Sequence, residues 1–128
     1  MSEFFVPGKP VQQGSMKHIG NGMIVHNKSK ELMAWREKIG WSAKSHRVPY
    51  QESGAVAIKL GFVFELPKSV KRDLPTVPPD LDKLIRSCLD ALSGIAYKDD
   101  SQVCEILASK RYGETPGVFI SLWSLTSM

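Results

Sequence analysis

The hydrophobic pattern of the chain alternates between a period of two and a helical period. The clearest strand runs from Val56 to Glu65, where large apolar residues alternate with smaller or charged ones. A period of two is typical of a strand with one face in the core. Further apolar runs predict strands at 4–6, 23–25, 103–111 and 118–125. The last two are joined by the short segment Gly113–Gly117 and predict a hairpin, as does Gly20-Asn21-Gly22 before the strand at 23–25.

Two stretches have the helical period. One runs from Ser29 to about Ser45, with its apolar residues on one face. The second follows Pro78-Pro79, because two prolines end the preceding element, so Asp80 is the expected N-cap. Its apolar residues recur at three- and four-residue steps as far as Leu92, and Gly94 suits a left-handed stop. The order of elements predicts one α+β (mixed α/β) domain over 1–128, with a mixed sheet of about four to five strands and two main helices.

The charge of the chain is unevenly distributed. The 128 residues suffice for one hydrophobic core, and the net charge is +4. Residues 1–48 carry eight Lys or Arg against three Glu, a net charge of +5, and the rest of the chain carries −1. A basic half beside an acidic half suits a protein that attracts a polyanion while holding carboxylates in one place. A solvated basic surface without a partner is the alternative.

The cysteines and histidines indicate neither a disulfide nor a zinc site. Cys88 and Cys104 each lie in an apolar pattern, so both are expected to be buried free thiols. The three histidines are separated by unrelated elements. Since the sequence has no signal-peptide core and no apolar run near 18 residues, we expect a soluble cytoplasmic protein that does not contact a membrane.

Aspartates gather around the second helix and the strand that follows it. Asp80 and Asp82 begin the helix, and Asp99 and Asp100 lie in the turn before the strand at 103–111. At the N-cap, Asp80 can turn toward Asp82. If the helix start adjoins the strand start, Asp80, Asp82 and one of Asp99 or Asp100 form an all-oxygen cluster suited to a hard divalent cation such as Mg²⁺. Alternatively, such acids only favour a helix N-terminus and a polar turn.

Basic residues lie close to these acids in the sequence. Lys68, Lys71 and Arg72 occupy the loop between the central strand and Asp80, where they would hold a phosphodiester near a metal centre. Lys17 follows Gly14-Ser15 in a polar loop that either contacts a phosphate or serves as a plain connector.

Three motifs carry a resemblance to a known family. Asp80-Leu-Asp-Lys-Leu84, Leu89-Asp-Ala-Leu92 and Asp99-Asp-Ser-Gln-Val103, in this order and spacing, resemble the RusA-type Holliday junction resolvases, which are common in bacteriophages and prophages. A weaker likeness includes Pro10-Val-Gln-Gln-Gly14 and the Trp35-Arg36 helix, so most of the chain is covered. The resemblance implies a homodimeric, Mg²⁺-dependent endodeoxyribonuclease, with Mn²⁺ as a substitute, that makes paired nicks in four-way junctions during DNA recombination and repair.

The same resemblance implies roles for individual residues. Asp80, Asp82 and Asp100 correspond to the metal-binding acids, and we expect Asp99 to orient a metal-bound water. The family often has Asn at the position of Lys83 and a functional Lys at that of Arg86. Arginine is a bidentate cation that does not deprotonate, so Arg86 is expected to stabilise charge in the transition state, with help from Lys83. The expected DNA contacts are Lys17, Lys68, Lys71, Arg72 and Lys83.

Three other functions fit these residues less well. One is a non-catalytic branched-DNA-binding protein of the same fold, which uses its acids only at helix ends. Another is a nuclease that prefers flaps or replication forks. The last is a small structural or dimerisation module without affinity for DNA.

Overall fold

The computed structural model describes residues 1–14, 17–19, 23–25 and 29–125. Side chains are described for all of these residues except 17–19, 23–25 and Ser29. Within these residues there are six strands, two α-helices and one short 3₁₀ helix. The strands are β1 Ser2–Pro7, β2 Lys17–Ile19, β3 Met23–Val25, β4 Val56–Phe64, β5 Val103–Tyr112 and β6 Gly117–Ser124. The helices are α1 Ser29–Ser45 and α2 Leu81–Leu92, and the 3₁₀ helix spans Asp100–Gln102.

Strand β4 lies inside a four-stranded mixed sheet with the order β1-β6-β4-β5. It pairs in parallel with β5 and antiparallel with β6. Ile58, Leu60 and Phe62 on its inner face are buried, whereas Lys59 between them is exposed. The predicted alternation along β4 is therefore confirmed, and so is a mixed sheet of about four to five strands.

The predicted hairpin between the last two strands is wrong, because β4 lies between β5 and β6. The connecting segment 113–116 crosses the end of β4, where the backbone N–H of Gly113 donates a 2.9 Å hydrogen bond to the carbonyl oxygen of Phe64. Strand β6 pairs with β4 on one side and with β1 on the other. Strands β2 and β3 pair antiparallel, which agrees with the predicted hairpin, although its turn at 20–22 lies outside the described residues. Lys17, which the sequence places in a polar loop, is instead the first residue of β2.

Both helices contribute to one core against the inner face of the sheet. Trp35, Ile39 and Ala43 of α1 pack there, together with the buried residues Leu84, Cys88 and Leu92 of α2. Helix α2 ends where predicted: Gly94 has a φ of +82°, and its N–H donates a 2.7 Å hydrogen bond to the carbonyl oxygen of Tyr97. The chain is thus a single α+β domain, as the sequence predicts.

The two cysteines differ in exposure. Cys88 is buried in α2, and burial raises the pKa of its thiol. Cys104 is exposed, so the expectation that both thiols are buried is wrong for this one. The reason is that Cys104 lies on β5, an edge strand of the four-stranded sheet, which the helices cover only in part.

No helix in the described part of the chain is both long and apolar enough to cross a membrane.

Candidate active site

The start of α2 is attached to the end of β5 by one lysine. The ammonium group of Lys110 donates hydrogen bonds to the carbonyl oxygens of Val77, at 3.0 Å, and Pro79, at 2.9 Å. Both carbonyls belong to the segment just before Asp80, which includes the cis peptide bond between Pro78 and Pro79. A charged donor with two acceptors makes strong hydrogen bonds. Lys110 therefore fixes the backbone that enters α2.

A loop from the N-terminal part of the chain holds the same helix start from another side. The side-chain oxygen Oε1 of Gln12 accepts a 2.7 Å hydrogen bond from the backbone N–H of Asp80. The next residue, Gln13, donates its N–H to the carbonyl oxygen of Lys83 at 3.0 Å. These contacts place Gln12 and Gln13 of the loop Pro10–Gly14 beside the start of α2, a position that the sequence alone does not indicate.

Asp80 is the N-cap residue of α2, as predicted, but its side chain makes no capping hydrogen bond. Its carboxylate instead lies 3.5 Å from the ammonium nitrogen of Lys83, and both side chains are partly exposed. Asp82 is exposed in the first turn, and its carboxylate makes no hydrogen bond within the described part of the chain. Helix capping therefore does not occupy the Asp80 carboxylate. Its ion pair with Lys83 is partly exposed, so both carboxylates can be reached by a cation from solvent.

Asp99 and Asp100 have different roles. The Asp99 carboxylate accepts a 3.1 Å hydrogen bond from the N–H of Ser101, and the Asp99 N–H donates to Oε1 of Gln102 at 2.9 Å. This capping box starts the 3₁₀ helix, and the hydrogen bonds to Ser101 lower the pKa of Asp99. Asp100, the next residue, is exposed, and its carboxylate makes no hydrogen bond among the described residues. Asp99 thus stabilises the turn, and Asp100 remains accessible.

Asp100 lies near the C-terminal end of α2, away from the other two acids. The hydroxyl of Tyr97 donates a 2.7 Å hydrogen bond to the carbonyl oxygen of Leu89. Asp100 begins the 3₁₀ helix three residues after Tyr97, and this short helix contacts α2. Burial and, to a smaller extent, the charge of Asp100 raise the pKa of Tyr97. Along a helix, Leu89 is about 10 Å beyond Asp82, at about 1.5 Å per residue. The described residues contain no group of three His, Cys, Asp or Glu side chains placed to hold a metal ion.

The expectation that the helix start adjoins the strand start is therefore not met within one chain. The start of α2 lies beside the end of β5, because Lys110 near that end holds the segment before Asp80. The chain then follows α2 to the opposite end of the strand and enters β5 at Val103. Asp80 and Asp82 share one end of α2, whereas Asp100 is at the other.

The basic residues predicted from the sequence are mostly exposed. Arg86 forms no ion pair with Asp82 or Asp90 in the described part of the chain, so the helical salt-bridge row that this spacing allows is not formed. Lys68 and Lys71 are exposed in the loop that leads to α2. In the same loop, Nε of Arg72 donates a 2.7 Å hydrogen bond to the hydroxyl of Tyr112. The side chain of Lys17 lies outside the described residues.

The donor set at the start of α2 fits a hard divalent cation. Asp80 and Asp82 supply carboxylate oxygens, which Mg²⁺ prefers, and Mg²⁺ needs few protein ligands because it keeps several waters. An exposed basic loop precedes Asp80 and provides charge for a phosphate backbone. This combination of acids and cations suits phosphodiester chemistry.

Comparison with known proteins identifies the family. The family model described as "Endodeoxyribonuclease RusA" matches residues 7–123, which include all four aspartates of the site. The chain is also similar to the uncharacterized protein YqaN of Bacillus subtilis (strain 168), with 30% identity over 133 aligned positions that cover 94% of each chain. The chain therefore belongs to the RusA endodeoxyribonuclease family, which supports a role as a Holliday junction resolvase-type endonuclease.

Proposed function

We propose that this protein is a homodimeric, Mg²⁺-dependent endonuclease that resolves four-way DNA junctions by paired cuts during recombination and repair. One observation carries the proposal: Asp80 is the N-cap residue of α2, yet its carboxylate makes no capping hydrogen bond. A structural acid would use this position to satisfy the helix N–H groups. An accessible carboxylate beside Asp82, in a member of a nuclease family, instead supports metal binding.

Each group in the site has a defined task in this proposal. Asp80 and Asp82 hold the Mg²⁺ ion, which when bound polarises the phosphoryl oxygen and lowers the pKa of the attacking water. Arg86, one turn after Asp82, directs its guanidinium group at the charge that develops on the phosphate. Lys68, Lys71 and Arg72 contact the DNA backbone, which gives affinity without sequence information.

The position of Asp100 favours a site shared between two copies of the chain. Strand β5 is an edge strand with exposed apolar residues: Ile106 is 44% exposed and Leu107 63%. Such an edge is able to pair with another strand. Antiparallel pairing of two β5 strands about a twofold axis near these residues places the start of one strand beside the end of the other. Asp100 of one copy then approaches Asp80 and Asp82 of the second.

Twofold symmetry also matches the substrate. A four-way junction has approximate twofold symmetry, and paired cuts on opposite strands need two sites related in the same way. A dimer with one shared site on each side of its axis meets this requirement. A chain that acts alone has no second site. Among the residues that the structure describes, it also has no third carboxylate placed with Asp80 and Asp82 to hold a metal ion.

A cleavage assay with branched substrates tests the proposal. The purified protein is mixed with a labelled four-way junction, a flap, a fork and a matched linear duplex, each with Mg²⁺ or Ca²⁺. We expect matching nicks on opposite strands of the junction with Mg²⁺, products that ligase can seal, and binding without cutting with Ca²⁺. Binding without cutting in Mg²⁺ would support the non-catalytic alternative. Faster cutting of flaps or forks would overturn the junction as the preferred substrate.

A further inference from the structure

A cavity of about 370 Å³ adjoins the start of α2. Its lining includes Gln12, Pro78 and Pro79, the same residues that precede or contact Asp80. The cavity is also lined by Phe64 at the end of β4, Tyr112 at the end of β5 and Arg72 in the basic loop. A DNA strand with a phosphate at Asp80 would therefore carry its next nucleotide past the mouth of this cavity.

The cavity walls are apolar and rigid. Five prolines line it, together with Val11, Val77, Phe64 and Tyr112. Proline has a fixed φ, so walls of this kind move little. The Tyr112 ring is also held in place, because Nε of Arg72 donates a 2.7 Å hydrogen bond to its hydroxyl and the guanidinium carbon lies 5.9 Å from the ring centroid. The cavity thus exists before any ligand binds.

Polar groups line the cavity beside these walls. Glu31 and Glu65 contribute carboxylates, and Lys9 and Arg72 contribute cations. Within the described part of the chain, neither glutamate forms an ion pair, although the two cations line the same cavity. Carboxylates accept hydrogen bonds and donate none at neutral pH. The preferred ligand therefore has flat apolar faces and hydrogen-bond donors on its edge.

We propose, on the basis of the proposed function, that this cavity receives one unstacked nucleobase of the junction next to the phosphate that is cut. The volume lies within the range of small-molecule sites, and an aromatic ring with proline walls suits the faces of a base. Unstacking a base costs a few kcal/mol and costs least where pairing is already disturbed, as at a branch point. Because Glu31 and Glu65 accept hydrogen bonds, the cavity prefers a base with an exocyclic amino group. Lys9 and Arg72 hold the neighbouring phosphates.

Fluorescence of 2-aminopurine tests this inference separately from cleavage. The probe replaces one base at a time around the crossover, and the protein is added in metal-free buffer. We expect the signal to change at one position on each of the two symmetric strands. Tyr112→Ala should remove this change, and Tyr112→Phe should keep it, since the ring is retained. Tyr50→Ala is the matched control, because Tyr50 is 48% exposed and lies outside the cavity lining.

Cleavage of junctions that differ only at that position provides the second measurement. The wild-type protein should cut junctions that carry the preferred base at least about tenfold faster than junctions that carry thymine. Glu65→Ala removes both acceptor oxygens and should reduce this ratio to less than about threefold, as loss of one hydrogen bond allows. Glu52→Ala is the matched control outside the cavity lining, and it should keep the wild-type ratio. Unfolding midpoints confirm that each variant is folded.

The outcomes separate the inference from the proposed function. Paired cuts with equal rates for all bases, or an unchanged fluorescence signal in Tyr112→Ala, would overturn the base pocket and leave the nuclease proposal standing. A position-specific signal that depends on Tyr112, in a protein that cuts no branched DNA, would overturn the nuclease proposal and support the base pocket.

Discussion

The ammonium group of Lys110 lies 2.9 Å from the carbonyl oxygen of Pro79, and this hydrogen bond connects the end of β5 to the residue immediately before Asp80. The same group bonds Val77 at 3.0 Å. Since the Asp80 carboxylate makes no capping bond, its position depends on main-chain contacts such as these and on its ion pair with Lys83. Lys110 therefore acts as a positioning residue for the proposed metal site.

Replacing Lys110 by methionine should weaken metal use more than DNA binding. The variant loses both hydrogen bonds but keeps most of the apolar stem, so we expect a loss of about 1–3 kcal/mol in unfolding free energy. The Mg²⁺ concentration for half-maximal cleavage should rise at least tenfold, whereas metal-free junction affinity should change little. Lys110→Arg should lie between this variant and wild type, because it keeps the charge.

Lys59→Met is the matched control for Lys110→Met, since Lys59 is an exposed lysine on the neighbouring strand β4. It should leave both the Mg²⁺ dependence and the unfolding midpoint close to wild type. If Lys110→Met needs the same Mg²⁺ concentration for half-maximal cleavage as the wild-type protein, the two hydrogen bonds do not position the site.

The change Asp82→Asn should separate binding from cutting. If Asp82 is a Mg²⁺ ligand, cleavage should fall by several orders of magnitude, because water activation and phosphoryl polarisation both depend on the ion. Junction affinity without metal should stay equal or rise, since a negative charge beside a polyanion is removed. The loss of a first-turn acid costs at most about 1 kcal/mol of stability.

Asp73→Asn controls for the change in charge at Asp82. Asp73 is an exposed acid in the basic loop, so its removal should raise affinity similarly while cleavage continues. Junction cutting by Asp82→Asn at the wild-type rate would exclude Asp82 from the catalytic centre.

The basic loop should determine how salt affects DNA binding. Each phosphate contact contributes roughly 0.9 to the slope of log affinity against log salt concentration, so Lys68, Lys71 and Arg72 together account for up to about 2.7. Their triple replacement by alanine should reduce the slope by this amount for all sequences and keep junction selectivity. The control is the triple alanine replacement of Lys44, Lys59 and Lys98, which removes the same number of positive charges. Equal slopes for the two triple variants would remove the loop from the interface.

The helices and β4 could be predicted because their signal is local. A buried face such as Trp35, Ile39 and Ala43 follows from spacing within one element. The neighbours of a strand depend on distant segments. The short connection 113–116 has the length of a hairpin loop, yet it crosses the end of β4, which pairs with β5 on one side and with β6 on the other.

The sequence names candidate site residues, but it does not predict how they are arranged. The motifs singled out Asp80, Asp82 and Asp100, but their distances depend on which end of β5 the start of α2 contacts. The lysine that decides this, Lys110, could not be found from the sequence, because its partners are backbone carbonyl oxygens that any residue supplies. The exposed thiol of Cys104 was missed for a similar reason, since an apolar pattern does not show that a strand lies at a sheet edge.

Mixing two inactive variants should restore activity if the site is shared between subunits. Asp80→Asn and Asp100→Asn should each be inactive as homodimers, because every site then has one altered ligand. In a heterodimer with a shared site, one site contains both changes and the other contains none. With equal amounts and free exchange, about a quarter of the wild-type number of sites should be intact. Those dimers should make single nicks, because only one of their two sites functions.

The control for this experiment mixes Asp80→Asn with Asp82→Asn. These acids share one end of α2 in the same chain, so each site of the heterodimer keeps one altered ligand and activity should not return. Sedimentation of labelled subunits measures exchange, so that a missing recovery is interpretable. If heterodimers form and Asp80→Asn with Asp100→Asn still gives no nicks, the subunits do not share Asp100. Each chain would then have to bring Asp100 to its own Asp80 by a rearrangement of α2 against β5.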